Sequence, residues 1–185
     1  NELSVGDSVD VFVYSDGREQ LKATTRNPRA MLGEIAFLEV VAVNHLGAFL
    51  DWGIGKDLLL PRIEQKERLY VGNYCSVFIH KDRRSERAVA SQRLKRHIGK
   101  TPANYEPGEE VEIHVYSRTD LGYTVIINHQ HWGLLYKNEV FKPLTRGLTT
   151  RAWVKKVINN EKVDLILSPP KKRRYVEVSE QILAE

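Results

Sequence analysis

A single cysteine, Cys75, and a single methionine, Met31, occur in the 185 residues. One thiol forms no internal disulfide framework and no cysteine-based metal cluster, so Cys75 is expected as a small buried apolar residue in a strand. Long apolar runs are also lacking: hydrophobic residues make up 42% of the chain and are dispersed among 28% charged ones. A membrane-spanning helix needs about 20 consecutive apolar residues, and none is available. No basic-then-apolar leader opens the chain. It starts on Asn1 rather than Met, as a fragment or processed product would. The expected setting is cytoplasmic, with no membrane partner.

Several chemistries are missing too. Gly53-Ile54-Gly55 comes nearest to a phosphate-cradling loop. No Lys-Ser or Lys-Thr follows it to close a Walker-type pattern, and no third glycine completes a dinucleotide fingerprint. Carboxylates are scattered, and the densest run (Glu106, Glu109, Glu110, Glu112) opens a strand beside a linker. Metal-assisted hydrolysis of a phosphodiester calls for a converging carboxylate cluster, and acid–base catalysis for a positioned pair. No Ser-His or Cys-His constellation follows from the spacing. His129 and His131 stand two apart with no cysteine or acidic neighbour in sequence, which argues against a metal site. No catalytic residue, metal or cofactor is assigned, and the chain is read as not an enzyme.

Charge is present in plenty but unevenly. The net charge is only +4, yet residues 81–100 alone carry about +6 and Lys171-Lys172-Arg173-Arg174 about +4, leaving about −6 elsewhere. Basic patches on an otherwise acidic protein point to an anionic partner, nucleic acid foremost. A solvated face beside a linker is the plainer alternative.

The chain also repeats itself. Gly33-Glu34 recurs as Gly108-Glu109, Leu46-Gly47 as Leu121-Gly122, and Leu59-Leu60 as Leu134-Leu135. Glu64 recurs as Glu139 and Gly72 as Gly147, always 75 positions on. A constant period marks two copies of one folding unit. Gly6 to Thr25 lies along Gly72 to Ser91, so the chain begins inside an earlier copy that lacks its front half. Val9, Val11 and Val13 recur at every second position, and Val111, Ile113 and Val115 alternate with charged or polar residues, which is the period of a half-buried strand. Only Pro61 to Arg68 and Lys137 to Leu144 are expected as a turn or two of helix. Roughly five strands in about sixty residues suit a small closed barrel of the oligonucleotide-binding (OB) type, since closure removes unpaired sheet edges. The fold expected is all-β, with tandem five-stranded barrels of which the first is truncated. Its parts are 1–28 (the second half of a first barrel), 29–97 (second barrel), 98–107 (linker), 108–168 (third barrel) and 169–185 (a basic linker).

Leu46-Gly47-Ala48-Phe49-Leu50, the turn Gly53-Ile54-Gly55-Lys56, the segment Leu58 to Glu64, and then Gly72, Val77, Ile79, Asp82, Arg87 and Ser91 resemble the S1 RNA-binding domain, an OB-fold module. "GAFLDWGIGKDLLLP" together with "TDLGYTVIINHQHWGLLYKNE" is more specifically similar to the conserved virulence factor B family of bacteria. That resemblance implies tandem S1 domains, RNA binding, and a winged-helix domain beyond the tail "KKRRYVEVSEQILAE". It also implies site residues. Phe49 stands at an aromatic position of the pattern, Lys56 in the adjacent turn, and Asp82 and Arg87 at its polar pair, with Arg83 and Arg84 adding phosphate-facing charge. For Phe49 a core position is the alternative, and for Asp82 and Arg87 a surface turn without a ligand. Leu46 replaces the first aromatic and Pro61 the usual histidine. In the third copy Tyr136 falls at the histidine position, Thr124 replaces the phenylalanine and Val157 the aspartate. Tyr123, His131 and Trp132 are candidates for a displaced aromatic surface, with Lys155, Lys156 and Lys162 serving phosphates. Trp52 and Trp153 are expected to pack.

The function expected is non-catalytic, regulatory binding of single-stranded RNA. Bases would stack on exposed aromatics and phosphates would pair with nearby cations. The alternatives are a protein-docking module of the translation or transcription machinery, or DNA binding through the missing winged helix.

Overall fold

Alternation of period two decides which side chains of each repeat turn inward. The computed structural model describes residues 4, 6–15, 20–158 and 162–169; the run Lys171 to Arg174 and the tail after Pro169 lie outside the described residues. Two units, Asn1–Arg93 and Leu94–Glu185, divide the chain.

In the first unit a hairpin of β1 (Phe12–Ser15) and β2 (Leu21–Thr24) precedes five strands: β3 (Ile35–Val43), β4 (Gly47–Leu50), β5 (Leu58–Pro61), β6 (Tyr74–Lys81) and β7 (Ala88–Ser91). They form one sheet in the order β5-β4-β3-β6-β7, and its outer strands β5 and β7 lie beside each other, so the sheet is nearly closed. The second unit holds β8 (Glu110–Arg118), β9 (Gly122–Ile127), β10 (His131–Tyr136), β11 (Thr149–Ile158) and β12 (Lys162–Ile166). This sheet closes fully through a parallel ladder of Gly133, Leu134 and Leu135 with Val163, Asp164 and Leu165. Both match the all-β, tandem OB-type expectation. Among the described residues helix is limited to short 3-10 turns, including Arg62–Glu64 and Lys137–Glu139 at equivalent places. No helix among them is long and apolar enough to cross a membrane.

The 75-residue period is followed down to backbone irregularities. A β-bulge between Val40 and Ala42 recurs between Val115 and Ser117. The Gly72 N–H donates to Val40 O at 2.9 Å and the Gly147 N–H to Val115 O at 2.8 Å. Glycine at 47 and 122 has a steric cause. A Cβ at either position would fall onto the carbonyl oxygen of Leu60 or Leu135 across the strand pair, and no rotamer change relieves a backbone clash.

Leu38, Val40, Leu50, Leu58, Leu60, Val77 and Ile79 fill the first barrel and are at most 1% exposed. Ile113, Val115, Val125, Ile127, Leu135, Val154 and Leu165 do the same for the second. Each such side chain contributes about 1.5–3 kcal/mol by leaving water. Cys75 is fully buried among the first set. Trp52 is buried as well, donates its indole N–H to Ala30 O at 2.7 Å, and takes Phe12 of the hairpin edge-on at 5.6 Å. Trp153 is half-buried on β11. The stretch 98–107, expected as a linker, is pinned to the second barrel. Ala103 enters the core, Gly99 N–H donates to Gln130 O at 2.7 Å, and Thr101 and Tyr105 hydrogen-bond His131.

Candidate nucleic-acid interface

On β4 the inward positions are Ala48 and Leu50, which turns Phe49 outward, half-buried and opposite Leu59 of β5. The next outward pair is Gly47 with Pro61. Phe49 therefore takes the outer of the two positions left open by the sequence. Lys56 lies three residues before Leu59, roughly 10 Å along an extended chain. Its ammonium is held by Ser15 O and sits 5.6 Å from the centre of the Tyr14 ring. With Arg87, Trp52 and Tyr14 it lines a groove of about 360 Å³. Hairpin residues from the partial first copy thus complete one end of the second copy's surface, a contribution that single-motif reading missed. Its trace in the sequence was the aromatic pair Phe12 and Tyr14, two residues apart and so on one face of the strand.

Asp82 organises the turn between β6 and β7. It accepts the Ser85 N–H at 2.8 Å and the Ser85 hydroxyl at 2.7 Å, and those bonds lower its pKa. Its own N–H donates to Arg87 O at 2.8 Å. Arg83, Arg84 and Arg87 are exposed on that turn. The structure thus gives Asp82 a turn-shaping part and leaves the arginines to present the charge.

The second barrel is equipped differently. Tyr123 is 5% exposed, belongs to the core, and its hydroxyl accepts the Leu144 N–H at 3.3 Å. His131 is also buried, with Tyr105 Oη 2.8 Å from Nδ1 and the Thr101 hydroxyl and carbonyl oxygens both 3.0 Å from Nε2. Neither ring joins an outer aromatic surface. Trp132 and Tyr136 do turn outward on β10, together with Leu134, and face Ile126, Gly122 and Thr124 on β9. Trp132 meets Tyr116 of β8 edge-on at 5.5 Å, a partner that sequence reading did not select. Lys155 bonds Glu139 at 2.5 Å, which raises its pKa, and the Tyr136 hydroxyl acts in the same direction. Lys156 lies 3.5 Å from Asp164. Among the described residues no three His, Cys, Asp or Glu side chains converge as metal ligands.

Tandem five-stranded OB-type barrels, each with aromatic or apolar side chains on the outer side of its second and third strands and cations on neighbouring turns or on the fourth strand, define the class. The sequence model of the S1 domain matches residues 1–26 and 32–93, the hairpin and the first barrel. A stretch of 55 residues is 42% identical to the uncharacterized protein YitL of Bacillus subtilis (strain 168). It spans 29% of this chain and 18% of that protein, so the chain covers under a fifth of this relative. A crystal structure of a multidomain protein with nucleic acid binding domains from Streptococcus pneumoniae aligns over 100% of this chain and 70% of its own. The identity there is 19% and the TM-score 0.45.

Proposed function

We propose that this chain is a non-catalytic RNA-binding regulator of the bacterial cytoplasm, of the kind implied by its resemblance to the conserved virulence factor B family. It takes single-stranded RNA on the outer faces of its S1-like barrels. The observation that carries this reading is Phe49, an outward aromatic on β4 within the S1-matching region. The basic turn of Arg83, Arg84 and Arg87 belongs to the same barrel. An aromatic face with flanking cations suits single strands, because every base offers a π-face and every nucleotide a phosphate. The residues proposed for contact are Phe49, Lys56, Arg83, Arg84 and Arg87 in the first barrel, and Trp132, Tyr136 and Lys155 in the second. Two modest faces on one chain gain strength by linkage.

The test is titration of a labelled single-stranded RNA of mixed sequence at increasing salt. Binding is expected at low salt and should weaken with a log–log slope of about −0.7 per phosphate contacted. No binding of any RNA at low salt refutes the proposal. Retention of a protein partner without RNA affinity favours the docking alternative.

A further inference from the structure

The connections between β5 and β6 (residues 62–73) and between β10 and β11 (137–148) supply none of the residues proposed above for contact. In the first barrel this connection frames an open groove of about 770 Å³, whose walls include Arg62, Lys66, Arg68 and Tyr70 with Val43 of β3. The Arg68 guanidinium lies 5.4 Å from the centre of the Tyr70 ring, and Tyr70 is 56% exposed. Glu64, on the same segment, is occupied in accepting the Ser91 hydroxyl at 2.6 Å. Glu67 is the remaining acid among the groove's three cations.

The second barrel offers the same chemistry at shifted positions. Its connection carries Lys137, Lys142 and Arg146 and the most exposed large apolar side chain described, Phe141 at 89%. Glu139 is again occupied, here by Lys155. Moving 75 residues on from Lys66, Arg68 and Tyr70 gives Phe141, Pro143 and Thr145, so the loops share composition without sharing sequence. Only Arg62 and Lys137 coincide as cations. An exposed aromatic ring fills no core, yet both connections keep one on a segment that also carries three cations. The position is also apt. Arg62 follows Pro61, which pairs with Gly47, and the Arg62 N–H donates to Leu46 O at 3.1 Å. Arg62 is therefore three residues, roughly 10 Å, beyond the Phe49–Leu59 pair along β5.

We propose that each of these connections is a second contact site for single-stranded RNA. Its cations hold phosphates and its aromatic, Tyr70 or Phe141, stacks one base of the strand that leaves the barrel face. This rests on the RNA-binding reading above. The RNA titration is repeated on the whole 185-residue chain with substitutions confined to the loops. Arg62→Ala, Lys66→Ala and Arg68→Ala together should make the salt slope shallower by about 2, at about 0.7 for each lost contact. Arg62→Lys with Arg68→Lys should keep it. Tyr70→Ala and Phe141→Ala should each weaken binding about fivefold or more and leave the slope unchanged. If every loop variant binds like the parent while Phe49→Ala weakens binding, the loop sites are overturned and the barrel-face reading stands. If the parent chain itself binds no RNA, both fall.

Discussion

The two barrels share a backbone and differ in how they fill and dress it. Position 58 is a buried leucine, and its equivalent 133 is a glycine inside the second barrel. The facing strand compensates: Ala88 and Ala90 of β7 stand where β12 has Val163 and Leu165. One barrel takes its volume from the third strand and the other from the fifth. In the second, a Cβ on Gly133 would already stand 2.8 Å from Leu165 Cδ1 and 2.9 Å from Ile127 Cδ1. That lean strand is the one that completes the parallel ladder with β12. The outer faces diverge more freely, with Phe49, Leu59 and Pro61 in one and Thr124, Leu134 and Tyr136 in the other. Interior changes come in compensating sets because packing density leaves no slack, whereas surface changes need no partner.

The sharpest way to break this comparison is to import the first barrel's leucine into the second. Gly133→Leu should lower the second unit's unfolding free energy by about 3 kcal/mol or more through overpacking. Adding Val163→Ala and Leu165→Ala should recover part of that loss, a coupling readable by denaturant titration.

Next in size come Gly47→Ala and Gly122→Ala. Each should cost about 2–3 kcal/mol, and by similar amounts, since each meets a carbonyl in the same place. A large inequality in chemical denaturation would show that the two strand crossings are not equivalent.

Acid should distinguish the barrels as well. His114 is 4% exposed, and burial, with His129 and Arg146 adding to it, pushes its pKa down to about 4. The equivalent residue in the first barrel is Glu39. Above about pH 6.5 His114 is neutral in both states and its effect on stability is nil. As pH falls from 6.5 towards 4 the unfolded chain takes up a proton that the folded one refuses, so stability drops by up to about 3 kcal/mol. Below that range the loss levels off. Hydrogen exchange resolved by unit should place this sensitivity in the second barrel, and His114→Gln should abolish it.

Smaller effects concern the faces. Phe49→Ala should reduce affinity for single-stranded RNA about fivefold or more, while Thr124→Ala, at the matching place, should change nothing. Smallest of all, Glu139→Gln releases Lys155 and should raise low-salt affinity by ~2-fold with a steeper salt slope. Glu64→Gln should not, because the first-barrel equivalent of Lys155 is His80 and Glu64 accepts from the Ser91 hydroxyl.

Much of this architecture is legible in the sequence. Glycines at 33, 47 and 72 and their equivalents carry the period, and the alternation Val111, Ile113, Val115 fixes an inner face that the structure keeps. The site was less legible because strand faces flip with each residue. Sequence alone groups Tyr123, His131 and Trp132 as one surface, yet His131 and Trp132 are adjacent on β10 and necessarily point apart. The period held the remedy, since Tyr123 aligns with the core residue Ala48. What sequence could not offer was tertiary contact, such as Tyr14 beside Lys56 or Tyr105 capping His131.

The twin bulges at Val40/Ala42 and Val115/Ser117 bear on how such a chain diversifies. Duplication passed on the kinks of the scaffold with its straight parts, so each copy inherited a finished frame. In such a pair mutation is free to alter one outer surface without touching the other. A tandem of this kind is a ready substrate for gradual specialisation, in which one frame comes to carry two outer surfaces of different composition on one polypeptide.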